Sequence, residues 1–219
     1  MYVRDIMTTN VVTIPSNTSI ADAKRIMTVH KIERLPVVDK GKLVGIVTAH
    51  GLEQVSPSKA TSLTVWELSY LLEKTTVKEI MEKDVVTTTP DTTVEEALAI
   101  AQGNKVGSLV VLEDNRVAGI VTTNDLFYKI VNPILGVAKL GALLPGTRIE
   151  IAGGGEEKAL EEIISTINNL KMKITALCLI PPVEATEKDI TIHLESEDVN
   201  QLVAKLKDKG YSVNLRKRS

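Results

Sequence analysis

Apolar and polar positions in the first part of the chain follow the same order twice. Residues 3–52 match residues 77–126 at a constant offset of 74 without a gap, and the segment Gly-Ile-Val-Thr at 45–48 returns at 119–122. A match that keeps its register over such a length, with apolar positions aligned throughout, is typical of a repeated structural unit. The pattern therefore predicts two copies of one fold.

Each copy has the pattern of a β-α-β-β-α unit. A short apolar segment is followed by apolar positions spaced three and four residues apart, which indicates a helix. Two further apolar segments flank a polar turn and predict a β-hairpin, and a helix is expected after each Gly-Ile-Val-Thr. The predicted strands are residues 11–14, 35–39 and 43–47 in the first copy and residues 85–88, 109–113 and 117–121 in the second.

A different order of elements is predicted for the end of the chain. Strands are expected at residues 148–152, 174–180, 190–194 and 211–215, with helices at residues 156–170 and 199–209. This βαββαβ order is that of a ferredoxin-like split βαβ fold. Together with the repeats it predicts an α+β protein.

Breaks in these patterns predict the domain bounds. Ser56-Pro57-Ser58 interrupts the chain after the first copy, and Thr64 with Glu67 has the spacing of a capping box that opens a short helix. Glycine and proline are frequent in residues 132–146, as expected of a connection. The predicted bounds are 1–52 for the first repeat, 53–76 for a linker with a short helix, 77–131 for the second repeat, 132–146 for the connection and 147–219 for the last domain.

Composition and charge argue against several classes of protein. The formal net charge is -2, and the only basic cluster, residues 216–218, has the pattern of a solvated tail, so no nucleic-acid partner is expected. No apolar run approaches the ~20 residues of a membrane span, and the first ten residues lack the apolar core of a signal peptide. The single cysteine, Cys178, excludes an intramolecular disulfide. A cytoplasmic protein without membrane contact is predicted.

The motifs of the two copies resemble a known family. The succession Asp-Ile-Met, Val-Val-Thr, Leu-Pro-Val-Val-Asp and Gly-Ile-Val-Thr is similar to that of CBS domains, two of which form a Bateman module. Residues 119–125, Gly-Ile-Val-Thr-Thr-Asn-Asp, resemble the G-h-x-T/S-x-x-D signature with which such domains bind nucleotide. The linker and the βαββαβ tail extend the resemblance to CBS–ACT proteins of the AcuB type. The tail departs from amino-acid-binding ACT domains, because Gly-Gly-Gly-Glu stands at 153–156 in place of an Asp-Arg-Pro-Gly turn.

The resemblance implies an adenine-nucleotide site in a cleft between the two repeats. Binding of the ribose hydroxyls calls for a carboxylate that accepts their hydrogen bonds, and Asp125 is the candidate. Thr122, with the free N–H groups of the helix that follows it, and Arg34 are the candidates for binding phosphate. Backbone groups around Val12 would contact the edge of the adenine, and Ile120 would close the apolar pocket around this base. The full candidate set is Thr8, Asn10, Val12, Glu33, Arg34, Leu35, Pro36, Ile120, Thr122, Asn124 and Asp125.

The same residues have simpler interpretations. A Thr-x-x-Asp segment between a strand and a helix is also an ordinary helix N-cap, and a lone Arg34 is typical of a solvated strand position. The two repeats are not equivalent, since Gly51 stands in the first where Asp125 stands in the second. The cleft is therefore predicted to have one complete ribose site.

No catalytic chemistry is predicted. The three histidines, at 30, 50 and 193, lack metal-ligand spacing, and no phosphate-binding glycine motif or nucleophile–histidine pairing is evident. The expected protein is a regulatory ligand sensor, not an enzyme, without a metal or cofactor. Its ligand would be AMP, ADP, ATP or S-adenosylmethionine, and occupancy would act through conformational change on an unidentified target protein. A homodimer is expected. The alternatives are a ligand-free interaction and dimerisation scaffold and, more remotely, a small nucleotide hydrolase.

Overall fold

The structure is a computed structural model that describes residues 1–55, 65–135, 137, 145–180 and 188–217. It divides into two compact units, Met1–Leu126 and Phe127–Ser219. None of the helices in the described ranges combines the length and apolarity needed to cross a bilayer. The predicted break at 56–58, the capping residue Thr64 and most of the connection before residue 145 lie outside the described residues.

The first unit contains both repeats. Its helices and strands, in chain order, are α1 (Val3–Ile6), α2 (Ile20–His30), β1 (Arg34–Asp39), β2 (Lys42–Thr48), α3 (Ala49–Gln54), α4 (Val65–Lys74), a 3₁₀ turn (Val77–Glu79), β3 (Thr87–Thr88), α5 (Val94–Gly103), β4 (Ser108–Glu113), β5 (Arg116–Thr122) and α6 (Thr123–Leu126). A helix thus follows each Gly-Ile-Val-Thr, as predicted. The predicted short strands at 11–14 and 85–88 shrink to a single bridge at Ile14 and the two residues of β3.

Strand pairing repeats with the offset found in the sequence. β1 pairs with β2 in the register Arg34↔Thr48, and β4 pairs with β5 in the register Ser108↔Thr122. Both hairpins are antiparallel and carry an irregularity at the same place, after Val37 in the first and after Val111 in the second. The structure therefore confirms the duplicated unit.

The core of the first repeat lies between α2 and the β1–β2 hairpin. The α2 helix begins at Ser19, whose hydroxyl accepts a hydrogen bond from the Asp22 N–H at 3.1 Å, an N-cap. One face of the helix buries Ile20, Ala23 and Met27 against the strands. Burial of each large aliphatic side chain stabilises the fold by roughly 1.5–3 kcal/mol. This packing fixes the end of α2, from which the chain enters β1.

The two repeats are joined reciprocally by backbone hydrogen bonds. Thr8 pairs with Ile120, with N···O distances of 2.9 and 3.0 Å, and Ile46 pairs with Glu82 at 2.9 and 3.0 Å. Glycine permits this approach: a Cβ on Gly119 would lie 2.6 Å from the sulfur of Met7 and 3.2 Å from the Thr8 carbonyl oxygen. The N-terminal segment therefore lies directly against the end of the second repeat.

The second unit has the βαββαβ order predicted from residue 147. Its elements are a π-helical turn (Phe127–Val131), α7 (Asn132–Leu135), β6 (Thr147–Ile151), α8 (Glu157–Asn169), β7 (Ile174–Ile180), β8 (Asp189–Leu194), α9 (Asn200–Asp208) and β9 (Val213–Lys217). The sheet order is β7-β8-β6-β9, and every neighbouring pair is antiparallel. Apolar residues of α8 and α9 form a buried cluster with one face of this sheet.

The end of the chain corrects one prediction. The sequence pattern predicts the last strand at residues 211–215 and a solvated basic tail at residues 216–218. Instead, β9 continues through Lys217, and Arg216 pairs with Arg148 of β6. A strand next to β6 gains backbone hydrogen bonds along its whole length, which the local charge pattern does not reveal.

Glu162 ties α8 to the end of α9 and to the loop before β9. Its carboxylate accepts hydrogen bonds from the Lys209 ammonium and from the Tyr211 hydroxyl, each at 2.7 Å. These two bonds, that from Lys209 above all, hold the pKa of Glu162 below its ordinary value of 4.5. The hydrogen bond to Glu162 raises the pKa of Tyr211.

Acid pH is expected to remove the contribution of Glu162 to stability. A carboxyl whose pKa is lower in the folded than in the unfolded chain stabilises the fold above its unfolded pKa, and this is lost as the pH falls through the folded pKa. At about pH 6, Glu162→Gln should therefore lower the free energy of unfolding, and the difference from wild type should close below 4.5. Urea unfolding at a series of pH values measures this. Glu161→Gln, an exposed neighbour on α8, is the control, and a pH-independent difference for Glu162→Gln would contradict the prediction.

Candidate functional site

A cleft of about 300 Å³ opens between the two repeats of the first unit. One wall is the segment that leads from α2 into β1, and the other is the end of β5 with the start of α6. The Thr8–Ile120 pairing brings the N-terminal segment to the edge of the cleft. The lining residues are Thr8, Lys31, Ile32, Glu33, Arg34, Ile120, Thr122, Asn124 and Asp125.

Asp125 and Thr122 form a reciprocal helix cap at this cleft. Oδ2 of Asp125 accepts hydrogen bonds from the Thr122 N–H at 2.9 Å and from the Thr122 hydroxyl at 2.7 Å. The Asp125 N–H in turn donates to the Thr122 hydroxyl oxygen at 3.2 Å. The capping role is therefore present. A carboxylate offers about four lone-pair positions, so capping and ligand binding are compatible for the same side chain.

The helix start is not the set of free donors that the sequence suggested for a phosphate. The N–H groups of Thr122 and Asp125 are used in the cap, and the Thr123 N–H donates to the Gly107 carbonyl at 3.2 Å. The α6 helix is also only four residues long, so its dipole is small. Three of the four N–H groups at residues 122–125 are thus used, and binding of a phosphate at this cleft would depend mainly on side-chain cations.

Two cations from the first repeat face the cleft. Arg34 is half-buried, and its Nη2 atom lies 3.0 Å from the point where a Cβ on Gly107 would be, so its guanidinium reaches the second repeat. Its ion pair with Glu33 is long, 3.9 Å, and Glu33 is 77% exposed, so the pair is weak. Lys31 ends α2 in the left-handed region, with φ 53°. The cleft thus has two cations and two carboxylates, those of Glu33 and Asp125.

The sequence did not single out Lys31 or Ile32. The offset of 74 contains a signal for Lys31, because Lys105 occupies the same place in the second repeat and has a φ of 56°. That repetition marks a helix end in which lysine adopts a left-handed conformation in both copies. Lys31 brings its charge to this cleft because of the direction in which the chain leaves α2. The local sequence pattern does not predict that direction.

Seven of the eleven candidate residues line the cleft, and four do not. Leu35 is fully buried in the core of the first repeat, and Pro36 is buried beside it in β1. Val12 packs against the same core, and Asn10 is exposed. The chain turns into the interior immediately after Arg34, which separates the Leu35 and Pro36 side chains from the lining. A part for them in binding stays a prediction.

The positions that are equivalent to the cleft residues by the offset of 74 carry different side chains. Thr48 caps α3 by accepting from the Gly51 N–H at 3.0 Å, but Gly51 supplies no carboxylate. Glu82 replaces Thr8, and Ser108 replaces Arg34. His50 lies next to the cap and contacts Gln54 through its ring Nε2 at 3.1 Å. Within the described residues, no group of histidine, cysteine and acidic side chains is arranged to hold a metal ion.

The CBS domain is the family whose sequence profile matches this chain, over residues 3–54 and 77–132. These residues are therefore a tandem pair of CBS domains. Both copies carry the pairing pattern and the reciprocal hydrogen bonds described above.

Individual relatives share the CBS pair but not the whole chain. L-aspartate semialdehyde sulfurtransferase of Methanocaldococcus jannaschii is 36% identical over 128 residues, which are 57% of this chain and 22% of that enzyme. The chain thus spans about a fifth of that relative, and the enzyme's activity belongs to the longer protein. The CBS domain pair of protein MJ0100, solved in complex with 5′-methylthioadenosine and S-adenosyl-L-methionine, is 32% identical and matches 57% of this chain and 92% of that chain, with a TM-score of 0.47.

A third similarity is to a protein described as an acetoin utilization protein (AcuB), from Vibrio cholerae. Its crystal structure is 29% identical and matches 60% of this chain and 91% of that chain, with a TM-score of 0.50. The match again covers a CBS-sized part of the chain. For the βαββαβ unit the structure gives the sheet order, and the assignment of that unit to the ACT type stays a prediction.

Proposed function

We propose that this chain is a regulatory protein whose CBS pair binds an adenine nucleotide, or a related adenosyl ligand, in the cleft around Asp125. The observation that carries the proposal is the composition of that cleft, which combines a carboxylate from the second repeat with two cations from the first. Adenosine phosphates carry the complementary groups: a pair of ribose hydroxyls and one or more anions. Charge-assisted hydrogen bonds to such groups are stronger than neutral ones.

In the proposed complex the ligand lies across the cleft. Its ribose hydroxyls donate to the Asp125 carboxylate, and its phosphates contact Arg34 and Lys31. Ile32 and Ile120 offer apolar surface to the base. Arg34 suits a phosphate because its planar guanidinium can form two parallel hydrogen bonds to one group.

The regulatory effect of binding would arise because the ligand contacts both repeats. A ligand that binds Arg34 and Asp125 together stabilises the arrangement in which both are within reach. It shifts the population towards that arrangement only by the difference in its affinity for the two states. Regulation of a target protein would follow from that shift.

The second candidate function is a CBS scaffold that binds no nucleotide. The observation that favours it is the Thr122–Asp125 cap, which gives Asp125 a structural reason to be present without any ligand. Under this alternative the cleft cations would be solvated surface residues. The two proposals differ in one measurable property, the affinity for adenosine ligands.

Further parts of the proposal concern the rest of the chain. The sheet order β7-β8-β6-β9 with two helices on one face supports an ACT-type domain for residues 147–219, with domain bounds as predicted from the sequence. Placement among CBS–ACT proteins of the AcuB type rests on this element order, because the likeness to the AcuB structure covers only a CBS-sized part of the chain. A cytoplasmic location, a homodimer and an unidentified target protein complete the proposal.

A thermal-shift panel with AMP, ADP, ATP and S-adenosylmethionine tests binding without turnover. A ligand that binds only the native state stabilises it by about 2.7 kcal/mol at a hundred times its Kd. We expect at least one adenosine ligand to raise the melting temperature, 2′,3′-dideoxyadenosine compounds to have little effect, and chromatography to recover the ligand unchanged. No shift with any of them would favour the scaffold. Conversion that is lost on mutation of the cleft would show a hydrolase.

A further inference from the structure

The sheet of the second unit has a polar face opposite α8 and α9. Along β6 and β8, alternate residues such as Ile149 and Ile192 face the helices and are fully buried. The residues between them, Arg148, Thr191 and His193, belong to the other face. Thr191 and His193 are each only 3% exposed. Polar groups at the centre of a sheet face are costly to bury unless they are hydrogen-bonded.

A row of basic residues crosses this face. In the strand register, Arg148 of β6 stands opposite His193 of β8 on one side and opposite Arg216 of β9 on the other. Residues directly opposite in antiparallel strands are close neighbours, and like charges in such pairs are destabilising. Arg148 is therefore the central residue of this row, between His193 and Arg216 in the register.

Arg148 is incompletely satisfied by the protein. Its Nη2 atom donates to the Thr191 hydroxyl oxygen at 3.5 Å, the limit of a hydrogen bond, and its buried Nε has no hydrogen-bond partner among the described residues. Glu150 follows two residues later on the same strand face, but the described residues include no ion pair between the two side chains. A guanidinium with an unused N–H edge is a donor pair for a carboxylate or a phosphate group.

We propose that this sheet face binds a small oxyanion, the phosphate or carboxylate group of a free small molecule, at Arg148, with the Thr191 hydroxyl beside it and His193 and Arg216 in the flanking register positions. The oxyanion satisfies the Nε–H of Arg148. This site lies in the second unit and does not depend on the adenosine cleft of the first.

Nuclear magnetic resonance of the full chain tests the site at the Arg148 Nε–H group. The signal is assigned by its loss in Arg148→Lys, and the protein is titrated separately with inorganic phosphate, succinate and, at matched ionic strength, chloride. We expect a saturable shift with phosphate or with succinate and none with chloride. Comparison of the first two titrations identifies the preferred oxyanion.

Variants separate this site from the cleft and from general charge effects. Arg148→Lys keeps the charge but loses the bidentate edge, and should weaken the oxyanion affinity by about 10- to 100-fold, measured by the rise in melting temperature. Arg116→Lys, at the exposed start of β5, and Asp125→Ala should leave that affinity unchanged. Three results overturn the proposal: no saturable shift of the wild-type signal, an equal response to chloride, or a shift that follows protein concentration, which would place a carboxylate of a second copy at Arg148.

Discussion

Asp125→Ala is expected to weaken binding of adenosine ligands by about 10- to 100-fold in a protein that remains folded. The change removes charge-assisted hydrogen bonds to two ribose hydroxyls, each worth about 1.5–3 kcal/mol in a favourable case. Losses at one side chain are not additive, and about 1.4 kcal/mol corresponds to a factor of ten. Isothermal titration calorimetry well below the melting transition measures the change. Equal affinity of folded Asp125→Ala and wild type would remove Asp125 from the site.

The cap makes a stability control necessary. Loss of the Thr122–Asp125 hydrogen bonds should itself cost about 0.5–2 kcal/mol of stability. Thr93→Ala is the matched control, because Thr93 caps α5 by accepting from the Glu96 N–H at 3.2 Å and is not among the residues that line the cleft. It should lower stability without changing the ligand affinity. A fall in affinity for Thr93→Ala equal to that for Asp125→Ala would mean that the binding loss reports stability alone.

The reciprocal experiment uses the first repeat. Gly51 lies inside α3, has no positive φ, and a Cβ there would meet only the Thr48 hydroxyl, at 3.3 Å. Gly51→Asp should therefore fold, and its carboxylate can cap α3 as Asp125 caps α6. We expect a gain in stability and a second, weaker adenosine site, which calorimetry would show as a stoichiometry above that of wild type.

Gly154→Ala is expected to destabilise the second unit by about 1–3 kcal/mol, the usual cost of overpacking a core. A Cβ at this position would lie 2.5 Å from Ile190 Cγ2, 2.9 Å from Ile163 Cδ1 and 3.0 Å from Ile151 Cγ2. These three side chains are fully buried between the sheet and α8. Amide hydrogen exchange of β8 measures the free energy of opening of this unit.

A second glycine supplies the comparison for Gly154. Gly103 ends α5, and a Cβ there would meet no atom within 4 Å. Gly103→Ala should change stability by less than about 1 kcal/mol, in the stabilising direction, because alanine loses less conformational entropy in a helix. If both substitutions had the same small effect, the turn after β6 would accommodate an added methyl group without cost. The packing argument for Gly154 would then be wrong.

The repeat made most of the first unit predictable from the sequence. An unbroken offset of 74 requires equivalent pairing, and the register of Arg34 with Thr48 and of Ser108 with Thr122 follows it. The family signature likewise placed Asp125 and Arg34 in the set that the structure brings to one cleft. Both inferences rest on patterns that constrain residues far apart in the chain.

Other features depended on local geometry that the pattern does not encode. Lys31 reaches the cleft because α2 ends in a left-handed residue, and Leu35 leaves it because β1 turns into the core after Arg34. The sequence predicts that the Thr122 hydroxyl and the first amides of the following helix are available to a phosphate, but the cap uses that hydroxyl and the Asp125 amide. The charge pattern predicts a tail at Arg216, whereas its backbone pairs with β6, because strand partners distant in sequence leave no local signal.

The crossing of the N-terminal segment has a consequence for how the chain can be divided. The Val3 and Arg4 N–H groups donate to the carbonyls of Thr92 and Pro90, and Thr8 pairs with Ile120, so the opening residues complete the second copy. In the same way, residues after α4 complete the first, through Ile46 and Glu82. The two copies are thus an intramolecular swap. A gene fragment cut in the linker would therefore separate each copy from the segment that completes it. A bulky fusion ahead of Met1 would lie next to the second copy, although that copy is distant from Met1 in the sequence.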